Sequence, residues 1–302
     1  MIFEISKSNT KDNRPYLKMT LLDKDGSQLQ GIMFDSNKLK FEPEKGDVVN
    51  VTGSVQSYNG QFQVKITNME KSSSEDAAEF LPKGNFDENE LFKEFVFFIK
   101  GNLRDRHILN LFSRFVSDTQ TIDKFKKMPA AKNVHHAYIG GLLEHTFSVV
   151  KLAVMMGDYY KGIVSKDLLI VGAIFHDMGK IFELDISKGF DYTDSGKLIG
   201  HLLLGIELVN NYCRDIDGFP DEYRNLINHM IASHHGLLEF GSPKKPKTVE
   251  ALILHHIDDM DAKLNTFKSI FIKDGVLSGG WSNYDRLLER QIFNHNIQEE
   301  GE

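Results

Sequence analysis

Several things are scarce in this chain, and each scarcity excludes a class of protein. A single cysteine, Cys213, occurs among 302 residues. It leaves no intrachain disulfide and no cysteine cluster of the zinc-finger kind, and it suits a reducing compartment. No apolar run approaches the roughly 18 residues that a membrane span needs. The start, "MIFEISKSNTKDNRPY", has no basic stretch followed by an apolar core, so no signal peptide is expected. Together these point to the cytoplasm and to no membrane partner. Net positive charge is lacking as well. The balance of −7 argues against a protein that coats nucleic acid by bulk charge. The first 70 residues carry nine basic and nine acidic side chains, so the whole acidic excess lies beyond them. Histidine is nearly absent from the first part too. Of twelve, all but His107 lie beyond residue 134.

What is present reads as an ordinary soluble protein, 41% hydrophobic and 26% charged, and too long for one small core. Residues 1–70 have strand character. In "PYLKMTLL" Leu17, Met19 and Leu21 alternate with Tyr16, Lys18 and Thr20. "IFEISKS", "LQGIMF", "DVVNVTGSV" and "QFQVKITNM" supply four more short strands, with turns at "DKDG" and "YNG". A polar, partly helical insert, "DSNKLKFEPEKG", separates the third strand from the fourth. Five strands in this arrangement suit a small Greek-key barrel of the OB type. Phe34 falls on the outer face with Tyr16 and Lys18, and Tyr58 tips the last turn. Outward aromatics near a lysine form a platform on which single-stranded bases stack.

"EKSSSEDAAE" is poor in apolar residues and reads as a linker over 71–80. Helical periodicity follows nearly to the end, including "DRLLERQIFNHN". The expected organisation is a barrel over 1–70, a helical lead-in over 81–130 and an all-α bundle over 131–295.

Within that bundle, "GAIFHDMGK" (172–180) sets a histidine, an aspartate and a lysine at the end of a segment that otherwise asks to be buried. Unpaired buried ionisable groups cost several kcal/mol. His145, His201, His234, His235 and Asp258 stand in similar positions, at or inside apolar helices. One such residue is ordinary in a helical core, but the set needs a cation. Mixed imidazole and carboxylate ligands suit Mn²⁺, Fe²⁺, Zn²⁺ or Co²⁺. Asp177 has two carboxylate oxygens and can bridge two ions, with His176 serving the first. Lys180, one turn on, cannot ligate a metal but can meet an arriving phosphate.

The order His, His-Asp, His, His-His, Asp resembles the HD superfamily of metal-dependent phosphohydrolases, and "FHDMGK" is similar to its central motif. With the barrel in front, "GGLLEHT", "YTDSGKLIGH", "SHHG" and "SPKKPKTVEALILHHIDDMDAK" resemble the YhaM family of 3′→5′ exoribonucleases over nearly the whole chain. The resemblance implies two divalent ions, Mn²⁺ foremost. His145, His176, Asp177 and Asp258 would hold the first, and Asp177, His201, His234 and His235 the second. Lys180 would neutralise charge on the phosphoryl oxygens, making Asp177 and Lys180 the catalytic pair. It implies single-stranded RNA as substrate, with single-stranded DNA as a further one, and 5′-mononucleotides as product. Lys244, Lys245 and Lys247 in "GSPKKPK" read as a guide for the phosphate backbone. His135, His136, His255 and His256 lie beside motif positions, where supporting or substrate-facing roles balance structural ones. Asp259 has no assigned role, and Asp261 reads as a helix support.

Two other functions remain open on these residues. One is a different HD enzyme, acting on nucleotides or cyclic dinucleotides. The other is a non-enzymatic single-strand-binding factor. A strand-binding barrel disfavours the first, and the full ligand set with Lys180 disfavours the second. The oligomeric state stays open, with a homo-oligomer compatible with the sequence.

Overall fold

The computed structural model describes residues 1–10, 12–24, 27–34, 36–58, 61–72, 77–132, 137–187, 189–286 and 288–296. His135 and His136 lie outside the described residues.

Five strands form the first unit: β1 (Ile2–Asn9), β2 (Pro15–Leu22), β3 (Gln28–Phe34), β4 (Val49–Tyr58) and β5 (Gln61–Lys71). They follow the order β1-β2-β3-β5-β4. All pairs are antiparallel except β3 with β5, where Gln30 lies opposite Gln63. This is the crossed connection of an OB barrel, and the insert after β3 holds a 3-10 turn at Ser36–Lys38. The alternation read from β2 is observed: Leu17, Met19 and Leu21 are buried with Met33, Val64 and Ile66. The sheet curls back on itself where Ile2 N–H donates to Asp47 O and Gly46 N–H donates to Ile2 O, both at 2.8 Å.

Helices follow: α1 (Glu88–Asn102), α2 (Arg106–Ser117), α3 (Thr119–Lys127), α4 (Gly141–Tyr159), α5 (Lys166–Phe175) and the single turn α6 (Lys180–Glu183). A two-stranded hairpin, β6 (Leu184–Asp185) and β7 (Asp191–Tyr192), precedes α7 (Asp194–Leu198), α8 (His201–Arg214), α9 (Asp221–Ser233) and α10 (Val249–Lys273). Asp87, Asp105, Ser165 and Thr248 cap the N-termini of α1, α2, α5 and α10 with their side chains.

The centre of the bundle is α5. Every residue from Leu169 to Phe175 is buried, and a helix apolar all round belongs in the middle. Phenylalanines from α1–α5 meet there: Phe95, Phe112, Phe115, Phe125, Phe147 and Phe175 share one cluster. The lead-in helices α1–α3 therefore bury their faces in the same core as the helices that follow them.

Two expectations differ from the structure. The acidic, serine-rich composition predicts a free linker over 71–80. Ala77–Phe80 instead forms a 3-10 turn. Ala77, Phe80 and Leu81 bury themselves with Met1, Leu22 and Val48 of the barrel and with Ile139 and Phe190 of the bundle. The apolar residues at its end thus join the two units. "DRLLERQIFNHN" is not helical in its described residues. Ser282 N–H donates to Ile292 O at 2.8 Å, and Asp285 pairs with Arg290, folding the segment into β8 (Gly280–Trp281) and β9 (Phe293–Asn294). These long-range bonds bury Ile292 in a way that a solvated terminal helix would not.

Gly179 sets how closely α8 approaches the end of α5. A Cβ there would lie 1.9 Å from His201 O and 2.6 Å from Gly205 N, so backbone must move to admit it. We expect Gly179→Ala to cost about 3 kcal/mol, at the upper end for overpacking. Tm should fall and His201 should be displaced from its neighbours. A melting curve and an activity equal to wild type would show that α8 does not depend on this approach.

Candidate metal centre

Each proposed ligand arrives from a helix end or an inward helix face. His145 lies one turn into α4. His176 and Asp177 occupy the turn that ends α5, and His201 opens α8. His234 and His235 follow the end of α9, and Asp258 faces inward from α10. The structure brings all seven together. His145, His176 and Asp258 form one group of donor atoms, and His201, His234 and His235 form another, each set lying within 4.8 Å. All but the fully buried His176 line a cavity of about 790 Å³.

Asp177 lies between the groups. Its Oδ2 is 3.6 Å from His145 Nε2 and 3.5 Å from His176 Nε2. Its Oδ1 is 3.7 Å from His201 Nε2 and 3.6 Å from His234 Nε2. Each oxygen thus addresses one group. Oδ1 is buried and has no hydrogen-bond partner among the described residues. An orphaned buried carboxylate oxygen is costly unless a cation completes it.

The imidazoles are all turned the same way. Nδ1 of His176, His234 and His235 donates to the carbonyls of Ala173, Ile231 and Phe240 at 2.8, 2.9 and 3.0 Å. Nδ1 of His145 donates to Asp261 Oδ2 at 2.8 Å, and that of His201 to Glu183 Oε1 at 3.0 Å. A carbonyl can only accept, so the Nε2 lone pairs are left pointing inward. They crowd there: His145 Nε2 is 3.2 Å from His176 Nε2, and His201 Nε2 is 3.2 Å from His235 Nε2. Two lone pairs at that distance repel unless a proton or a metal ion sits between them. The donor set therefore fits a divalent cation in each group.

Titration follows the same geometry. Burial opposes charge on His145, but Asp258 and Asp261 outweigh it and push its pKa up to about 9. Burial also opposes charge on Asp177, yet Lys180 and His176 hold that carboxyl well below the usual range. Burial is the main cause that lowers His234, and with its histidine neighbours it brings His235 down to about 4. His234 and His235 are accordingly neutral and ready to ligate.

Lys180 Nζ donates to Asp177 Oδ2 at 2.6 Å, at the side of the cavity and outside both ligand groups. Asp261, read from the sequence as a helix support, holds His145 and accepts from the Ser148 hydroxyl. Glu183 was not legible as a site residue. It fixes both the ring and the backbone N–H of His201 at 3.0 Å. His255 donates from Nδ1 to His234 O at 2.7 Å, and Gly236 leaves room for its ring. His256 and Asp259 line the cavity, with Asp259 paired to Lys263 at 2.7 Å.

The residues expected to meet a strand are more dispersed. Tyr16 and Phe34 pack against each other, with ring centroids 5.6 Å apart. Lys18 lies on the same barrel face, in a groove with Thr20, Gln30 and Lys45. Tyr58 is exposed but lies toward the opposite end of the sheet, beside Gln61. Its exposed neighbour there is Phe62, which strand alternation places inward with Val64 and Ile66. Lys244, Lys245 and Lys247 are exposed and do not line the cavity.

If Asp177 bridges the groups, Asp177→Ala should lose both metal equivalents by elemental analysis. Glu183→Gln should loosen only the group containing His201, by the 10–100-fold that follows loss of an orienting partner. Two ions retained in Asp177→Ala would contradict the bridging role.

Comparison with known proteins matches both units. The model of the HD domain matches residues 142–263, and that of the OB-fold nucleic acid binding domain matches residues 2–71. A protein named 3′-5′ exoribonuclease YhaM from Listeria innocua is 34% identical, over 89% of this chain and 87% of its own. Proteins of the same name from Geobacillus and Bacillus subtilis are each 32% identical. They cover 97% and 95% of this chain, and 89% and 91% of their own. No solved structure matches. At such identity over nearly the full length of both partners, the chain belongs to the YhaM family of 3′-5′ exoribonucleases.

Proposed function

We propose that this chain is a metal-dependent 3′→5′ exoribonuclease that hydrolyses single-stranded RNA to 5′-mononucleotides, with single-stranded DNA as a secondary substrate. The observation that carries the reading is Asp177, whose two oxygens each face one three-ligand group. We take the complement to be two divalent ions, Mn²⁺ foremost, held by His145, His176, Asp177 and Asp258 on one side and by Asp177, His201, His234 and His235 on the other. Bound there, such ions supply Lewis-acid chemistry that activates water and offsets charge on the attacked phosphate.

The chain's own residues do the rest. Asp261, Glu183 and three backbone carbonyls keep five imidazoles aimed inward. Lys180 holds the bridging carboxylate and presents its ammonium at the cavity edge, where a phosphoryl oxygen of the substrate gains charge during attack. The barrel supplies affinity for the strand outside the cavity, and its neutral charge keeps that affinity weak enough for the chain to advance. Division into a barrel up to about residue 70 and a catalytic bundle whose core includes the lead-in helices over 81–130 fits this division of labour. No described helix is long and apolar enough to cross a membrane, and a cytoplasmic setting suits the single buried thiol, Cys213.

Incubation of 5′-labelled single-stranded RNA with Mn²⁺ should give a ladder shortening from the 3′ end. Intact RNA alongside hydrolysed free nucleotides or cyclic dinucleotides would reassign the enzyme within the HD superfamily. Lys180→Ala should keep its metal and lose turnover by roughly 10²–10³, as for other charge-stabilising groups. A metal-depleted Lys180→Ala would make the lysine structural.

A further inference from the structure

Between the barrel and the metal cavity lies a polar bridge that the ligand sets do not use. Asp191, in the β6–β7 hairpin, accepts from Lys132 Nζ at 2.9 Å and from the Tyr192 backbone N–H at 2.8 Å, both on Oδ1. Its Oδ2 is 3.6 Å from Nζ of Lys45, which belongs to the barrel and also donates to Phe190 O at 3.2 Å. One carboxylate thus gathers two lysines from distant parts of the chain and a backbone donor. Lys132 and Tyr192 both line the metal cavity. Lys45 lines the groove on the barrel face, with Lys18, Thr20 and Gln30. Asp191 therefore ties a lysine of one depression to a lysine of the other.

The chemistry of this junction matches a nucleotide. Two ammonium groups and an N–H converging on one anion are what a phosphodiester needs, and a carboxylate with two oxygens satisfies the same donors. Lys132 also stands over the Tyr192 ring, 5.7 Å from its centroid. Tyr192 is partly exposed, 41% by area, and lines the metal cavity. The lysines hold Asp191 down to about 2, so the carboxylate is charged at any working pH.

We propose that Lys132 and Tyr192 form a nucleotide subsite on the path of single-stranded RNA from the barrel groove to the metals. Lys132 binds a backbone phosphate, Tyr192 stacks a base, and Asp191 holds the lysines in place until a phosphate displaces it from Lys132. Lys45 marks the barrel end of the same path. This rests on the reading of the chain as an exoribonuclease and names where its substrate runs.

The test is binding of a fluorescein-labelled single-stranded oligoribonucleotide by the full chain in chelator, where no hydrolysis occurs, over a range of salt. Lys132→Ala should weaken binding and flatten the plot of log Kd against log salt by about 0.7, the share of one phosphate contact on a single strand. Tyr192→Ala should weaken binding about tenfold, within the range for one base stack, with the salt slope unchanged. Tyr192→Phe should bind like wild type, because it keeps the ring. Unchanged affinity in both alanine variants, or loss in Tyr192→Phe equal to that in Tyr192→Ala, would overturn the subsite. Shortening of the same RNA by wild type with Mn²⁺ judges the activity separately, so a failure of either conclusion is recognised on its own.

Discussion

Asp177 is a carboxylate driven into the interior, 3% exposed, at the end of the most buried helix of the bundle. Its charge there is countered directly by Lys180, and the inward imidazole lone pairs offer ligands suited to a divalent cation. Much of the second unit can be understood as holding those groups at the right depth. The apolar α5 delivers His176 and Asp177, α4 and α10 bring His145 and Asp258 from one side, and α8 and α9 bring the remaining histidines from the other. Loosening any of these contacts would leave a buried charge without its complement.

Orientation matters as much as position. An imidazole that could rotate would bind metal weakly, and each of the five rings is pinned at Nδ1. Two pins are carboxylates, Asp261 and Glu183, and Asp261 also makes the His145 imidazole more basic. The other three are backbone carbonyls within the same chain turn or loop. The site is thus largely preorganised by packing that the phenylalanine core maintains.

The parts of this picture legible in the sequence were those with local signatures. Strand alternation around Leu17, Met19 and Leu21 marked the barrel, and the histidines and aspartates at helix ends marked the candidate metal centre. What escaped was set by contacts distant in sequence. Glu183 meets His201 eighteen residues away, and nothing in "KIFE" announces it. Phe62 shares the parity of the buried Val64 and Ile66, yet it is exposed where the hairpin outruns the barrel. The end of the chain carries a helical pattern that the bonds between Ser282 and Ile292 override. The segment after the barrel looked like a free joint because Ser and acid dominate it, while Phe80 and Leu81 at its end were enough to dock it.

Anomalous scattering from crystals of the chain grown with Mn²⁺ tests the central claim most directly. Two peaks about 3.5–4 Å apart, one on each side of the Asp177 carboxylate, are expected for paired ions sharing a bridging ligand. A single peak, or peaks that leave Asp177 outside the coordination of both, would contradict the account.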